Sequence, residues 1–146
     1  MTLANLRVTI ETLLIGDNEL PAEQEKLIAL LEMGYIEIAS RVTALKLLTA
    51  NNSSEVIRGG PSGSYVRMPV LPTEGNDELD IDRELCPALA RIIAGYVSRD
   101  RAGHHQAEAQ KVLVNYETKV RRFLEENADN VDYSVEAETD ARVALS

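Results

Sequence analysis

The chain has no tryptophan, one phenylalanine and one cysteine, and aromatic residues make up only 4% of its 146 positions. With so few rings, a core has to be built from Leu, Ile, Val and Ala, a composition that suits packed helices better than the aromatic and β-branched faces of a sheet. The lone Cys86 has no partner for an internal disulfide, and no set of Cys and His falls at zinc-ligand spacing. A reducing compartment fits, with Cys86 as a small buried thiol. No apolar run approaches the roughly 18 residues of a membrane span. The N-terminus also lacks a basic flank followed by a continuous apolar stretch, so neither signal-directed secretion nor membrane insertion is expected.

Basic residues are in the minority. Fifteen Lys and Arg face 24 Asp and Glu, a net charge of -9. That balance argues against a broad phosphate-neutralising surface and so against stable wrapping of nucleic acid. The imbalance is uneven: from Glu125 to the end, seven acidic residues stand against one arginine.

What is present is a 45% hydrophobic content, enough for one domain with a real core. Four helical segments can be read. Thr2 is an N-cap for a first helix in which Leu3, Leu6, Ile10 and Leu13 recur at three and four residues, and Gly16-Asp17-Asn18 ends it. A second helix is expected from Pro21 to about Leu48, with Leu27, Leu31, Tyr35, Ile38, Val42 and Leu45 on one face. Gly34 inside it weakens the helix but lets a neighbour approach closely. Asp80 or Asp82 can cap a third helix that Pro87 either begins or bends, with Leu85, Leu89, Ile92 and Tyr96 as its buried row. Gly103 separates it from a fourth, where Ala109, Leu113, Tyr116, Val120 and Phe123 repeat in steps of four and three. The short link implies an antiparallel pair.

Between the second and third helices two β-prone runs, Glu55 to Arg58 and Ser64 to Val70, flank GGPSG and predict a β-hairpin at about 54–70. A phosphate-loop reading of GGPSGS fails because the GK[ST] ending is missing and a strand follows. Val56, Ile57, Tyr65 and Val66 offer more apolar surface than a lone ribbon leaves exposed, so the hairpin is expected to pack between neighbouring subunits.

The only two histidines, His104 and His105, sit together with Glu108 three residues on. His105 and Glu108 would share a helix face as two metal ligands, but two ligands do not make a site. The second Glu-x-x-His pair of a di-iron bundle and the His-Glu-x-x-His of a zincin are both missing. The expectation is a turn and a solvated helix start, with no metal, cofactor or catalytic role. Beyond Asn127 the sequence is acidic and poor in core residues, a composition usually disordered on its own, and the plain reading is a floppy acidic tail. Val131, Tyr133 and Val135 alternate along one side of a possible strand, with Asp132 and Glu136 among the intervening charges. Residues 128–146 are therefore expected to be an extended arm that orders by strand addition to a partner.

The order of these parts carries a resemblance. MTLANLRVTIETLLIGDNELPAEQEKLIALLEMGYIEIASRVTAL, a β-prone insertion, then DIDRELCPALARIIAGYVSRDRAGHHQAEAQKVLVNYETKVRRF is similar to the head-tail connector or adaptor proteins of tailed bacteriophages, over roughly residues 1–127. The resemblance implies an all-α protein: a small four-helix bundle (1–127) with a hairpin insertion and an extended acidic C-terminal arm. It implies a structural virion protein and not an enzyme, assembled in the host cytoplasm and resident at the head-tail junction. There, typically twelve copies form a homo-oligomeric ring below the portal protein, extend the DNA channel and offer a docking surface for tail or nozzle proteins. Genomic DNA only passes through, and an acidic wall would repel its phosphates. The arm, through Val131, Asp132, Tyr133, Val135 and Glu136, would be the portal-binding element. The alternatives from other classes are a cytosolic helical interaction or regulatory module and an enzyme whose site the sequence does not announce.

Overall fold

The computed structural model describes residues 1–42 and 69–126, with side chains through Arg122. Among the described residues there are four α-helices: α1 (Leu3–Leu13), α2 (Gln24–Arg41), α3 (Cys86–Val97) and α4 (Ala102–Glu126), with a 3-10 turn at Arg83–Leu85 leading into α3. The expected helical character is therefore observed. The hairpin at 54–70, with Val56, Ile57, Tyr65 and Val66, lies almost wholly outside the described residues; Pro69 and Val70, its expected end, belong to no strand. The arm at 128–146 lies outside them too.

α1 begins where its sequence says it should. The Thr2 hydroxyl accepts from the Asn5 amide at 3.1 Å while the Asn5 side chain accepts from the Thr2 amide at 3.2 Å, closing a capping box. The remaining first-turn amides need partners. Leu3 and Ala4 donate to the carbonyls of Asp77 and Gly75, at 3.0 and 2.8 Å, so the segment before α3 crosses the start of α1. That segment is shaped by the Asp77 carboxylate, which accepts from both the Thr73 and Glu74 amides at 2.9 Å.

The second helix is shorter than expected. It starts at Gln24 rather than Pro21, whose carbonyl instead accepts from Arg7 of α1 at 2.9 Å. It ends at Arg41, where Val42 leaves the helical region at φ -90 and ψ 81; a β-branched residue gives up less there than a straight-chain one. Pro87 begins α3 rather than kinking it, at a position whose amide has no helical acceptor.

α3 is the centre of the bundle. It buries eight of its twelve residues, among them Ala88, Ala90, Ala94 and Gly95, whose small size lets helices close in from several sides. It packs against α1, α2 and α4. The α3–α4 pair is antiparallel, as the short link requires: Gly95 lies beside Ala102 and His105 at one end, and Glu84 meets Lys119 at 3.0 Å at the other. Gly34 does what its position predicts, since a Cβ there would sit 2.7 Å from Leu89 Cδ1. The core is aliphatic: Leu3, Leu6, Ile10, Leu27, Leu31, Ile38, Leu85, Leu89 and Ile93 are all buried.

Candidate functional site

The histidine pair is not a turn. Helix α4 begins at Ala102, so both residues lie in its first turns, and only His104 faces solvent. His105 is 1% exposed, which corrects the expectation of a solvated helix start. Counting back from Ala109 in the buried row of α4 by one more step of four reaches His105, so the register itself carries the ring into the interface with α3. Arg91 Nη1 on α3 stands 3.1 Å from His105 Nδ1. A guanidinium can only donate, so Nδ1 accepts and the neutral ring carries its proton on Nε2. Nε2 is buried without a hydrogen-bond partner among the described residues. Burial first, then the positive charges of Arg91, His104 and Arg101, push the imidazole below its ordinary value, against a small opposing pull from Asp17.

Glu108, the other candidate ligand, is engaged by Lys111 at 3.2 Å, and that hydrogen bond holds its carboxyl below the usual range. Among the described residues no three His, Cys, Asp or Glu side chains are grouped to hold a metal ion. Cys86 is buried, which pushes its thiol up and keeps it in the protonated, weakly nucleophilic form.

Three further polar centres join elements distant in sequence. The Asp17 side chain, 1% exposed, is reached because Gly16 turns the chain at φ +78 after α1. It accepts from the Ser98 hydroxyl and from the Arg99 and Asp100 amides, at 2.9 and 3.2 Å, and lies 3.7 Å from Arg101 Nε. These donors, the Ser98 hydroxyl foremost, hold its carboxyl below the ordinary range although burial opposes them. Asn18 alongside donates to the last-turn carbonyl of Val97 at 2.8 Å. The loop after α1 thus fastens the link between α3 and α4. At the other end of that pair Tyr116 donates to Asp82, and its hydroxyl is pushed far up, first by burial and then by that bond. Beside it a cleft of about 250 Å³ is lined by Glu84, Val112, Asn115, Tyr116 and Lys119. Tyr96 donates to Glu37 at 2.8 Å, and Glu37 pairs with Arg41 at 3.1 Å, tying α3 to α2.

These three centres hold elements of the bundle together, whereas His105 Nε2 and the buried Tyr35 hydroxyl have no hydrogen-bond partner among the described residues. The exterior differs. Val8 (62%), Ile15 (71%), Met33 (51%), Ile36 (54%), Val70 (67%) and Val114 (48%) stand in solvent, five of them on or just after the helices α1, α2 and α4. Sequence reading of buried rows passed over these residues. The signal was there in α2, where LIALLEMGYIEIAS is apolar on both sides of the helix and not on one. The proposed interface residues Val56, Ile57, Tyr65 and Val66 and the arm residues Val131, Asp132, Tyr133, Val135 and Glu136 fall outside the described residues. No helix among the described residues is long and apolar enough to cross a membrane.

No protein-family model, curated protein or solved structure matches the chain.

Proposed function

We propose that the chain is an assembly subunit, and specifically a head-tail connector of tailed bacteriophages that forms a ring below the portal protein and receives tail components on its far side. One observation carries the reading. The buried polar groups at Asp17, Arg91–His105 and Tyr116–Asp82 each join two elements of the bundle, while large aliphatic side chains stand outward on three separate helices. A rigid frame with an adhesive exterior suits a building block, whose work is to bury surface against its neighbours. The negative net charge suits a wall past which DNA must slide without sticking.

In this reading residues 128–146 make the portal contact, with Val131, Tyr133 and Val135 as side-chain anchors and Asp132 and Glu136 selecting a basic rim. The test is truncation after Asn127. The expected result is a protein of unchanged helical content whose affinity for portal falls sharply, and whose parent loses affinity as salt is raised. Portal binding that survives the truncation removes the arm from the proposal.

A further inference from the structure

We propose that His105 is an acid-released latch: in mildly acidic solution the first turns of α4, Ala102 to Glu108, come off α3 while the rest of the bundle stays folded. The device belongs to the single subunit and works whatever that subunit assembles with.

One side chain docks this segment. From Ala102 to Glu108 only His105 is buried, at 1% exposure; Gly103, His104, Gln106 and Ala107 are exposed, and Ala102 and Glu108 half-buried. Gly103 also makes the segment a poor helix on its own account. Both flanks are fastened without the ring. Before the segment, the Asp17 carboxylate accepts from the Arg99 and Asp100 amides, and Arg101 donates to the Ile15 carbonyl at 2.7 Å. After it, Ala109 and Leu113 are buried, Tyr116 donates to Asp82, and Lys119 meets Glu84 at 3.0 Å. Undocking can therefore stop at both ends, which makes it a local opening and not the unfolding of the chain.

The latch holds only while the ring is uncharged. From α3 the ring faces the Arg91 guanidinium, 3.1 Å from Nδ1. From the link and from its own helix, Arg101 and His104 add positive charge, and from the loop after α1 Asp17 gives a small opposing pull. Glu108, three residues on, is engaged by Lys111 at 3.2 Å. Because Nδ1 accepts from Arg91, an incoming proton has to sit on the atom that faces a donor, and the hydrogen bond is lost with it. The free amides of a helix start disfavour a cation there as well. In the undocked segment the ring returns to water and to its ordinary value near 6.5, above the folded one, so the latch is shut above about pH 6.5 and released as pH falls toward the folded value. Asp17, held below the ordinary carboxylate range, stays ionised throughout and keeps the link fastened.

Amide hydrogen exchange of the full-length chain at about pH 7.5 and 5.5, corrected for the intrinsic pH dependence of exchange, tests the latch. Protection at the amides of His105 to Glu108 should fall about threefold or more, with about tenfold as the ceiling for one proton taken up near 6.5. Protection in α1 and from Leu113 to Tyr116 should change by less than about twofold. His105→Leu, which keeps an apolar dock and has no proton to gain, should hold its protection at both pH values. Arg91→Gln keeps a donor for Nδ1 and removes the cation, so its loss should be smaller than that of wild type and its His105 ring should titrate at higher pH by NMR. The second variant decides alone if the first fails to fold. An even loss across all helices, no loss from His105 to Glu108, or a wild-type loss in either folded variant overturns the proposal.

Discussion

Arg91 Nη1 on α3 lies 3.1 Å from Nδ1 of His105 on α4, so a permanent cation and a buried imidazole share the interior of the antiparallel pair. The imidazole can stay there only while neutral. Protonation would set two positive groups against each other at a part-buried contact where Asp17 exerts only a small opposing pull.

The pH dependence follows with a definite sign. The pKa of His105 is lowered in the folded chain, so between that value and the unfolded value of about 6.5 the unfolded state holds more protons. The stability linked to this group is complete above about pH 6.5 and is lost as pH falls toward the folded pKa. Urea midpoints should fall between about pH 7.5 and 5.5 in wild type and fall less in His105→Leu. Equal slopes in the two proteins would remove the imidazole from the account. Replacing each histidine with alanine at neutral pH should separate them further: His105→Ala costs about 1–3 kcal/mol, His104→Ala no more than about 0.5 kcal/mol.

Asp17 titrates in the opposite sense. Its folded pKa is depressed by the Ser98 hydroxyl and the Arg99 and Asp100 amides, so its contribution is present above the ordinary carboxylate range and is lost as pH falls through the folded value. Asp17→Asn should therefore be less stable than wild type at pH 7, and the two curves should converge as pH falls below the ordinary carboxylate range. A gap that persists at low pH would mean that shape, not charge, matters at this position.

Gly34 and Leu89 should behave as a coupled pair. Alanine at position 34 raises helix propensity by about 0.5–1 kcal/mol, but its Cβ would stand 2.7 Å from Leu89 Cδ1 in a closed core, and overpacking of that kind costs about 1–3 kcal/mol. Gly34→Ala is expected to destabilise the chain by about 1 kcal/mol. Combined with Leu89→Val, which opens the space, it should cost less than the sum of the single changes. Additive losses in thermal or urea unfolding would show that α2 and α3 are not in contact there.

The helices were legible where local chemistry sets them. Thr2 with Asn5, the three-and-four spacing from Leu3 to Ile10, and Pro87 at the start of α3 each act within a few residues, and the structure keeps them. Asp17 was read only as part of a helix stop, because its partner Ser98 is 81 positions away and no pattern in the sequence announces such a bond. His105 was misplaced for a different reason. Gly103 and the paired histidines resemble a link, whereas the four-residue step back from Ala109 correctly assigns the ring to the core. Met33 and Ile36 were hidden by the search for one buried face per helix: with a second apolar side, α2 satisfied that search and left its outward row unread.

The central claim is that this chain builds a ring on a portal. Electron microscopy of the purified full-length chain mixed with its cognate portal protein tests it most directly. The account predicts closed rings of many copies stacked on one face of the portal; a discrete monomer or dimer with no portal affinity would contradict it.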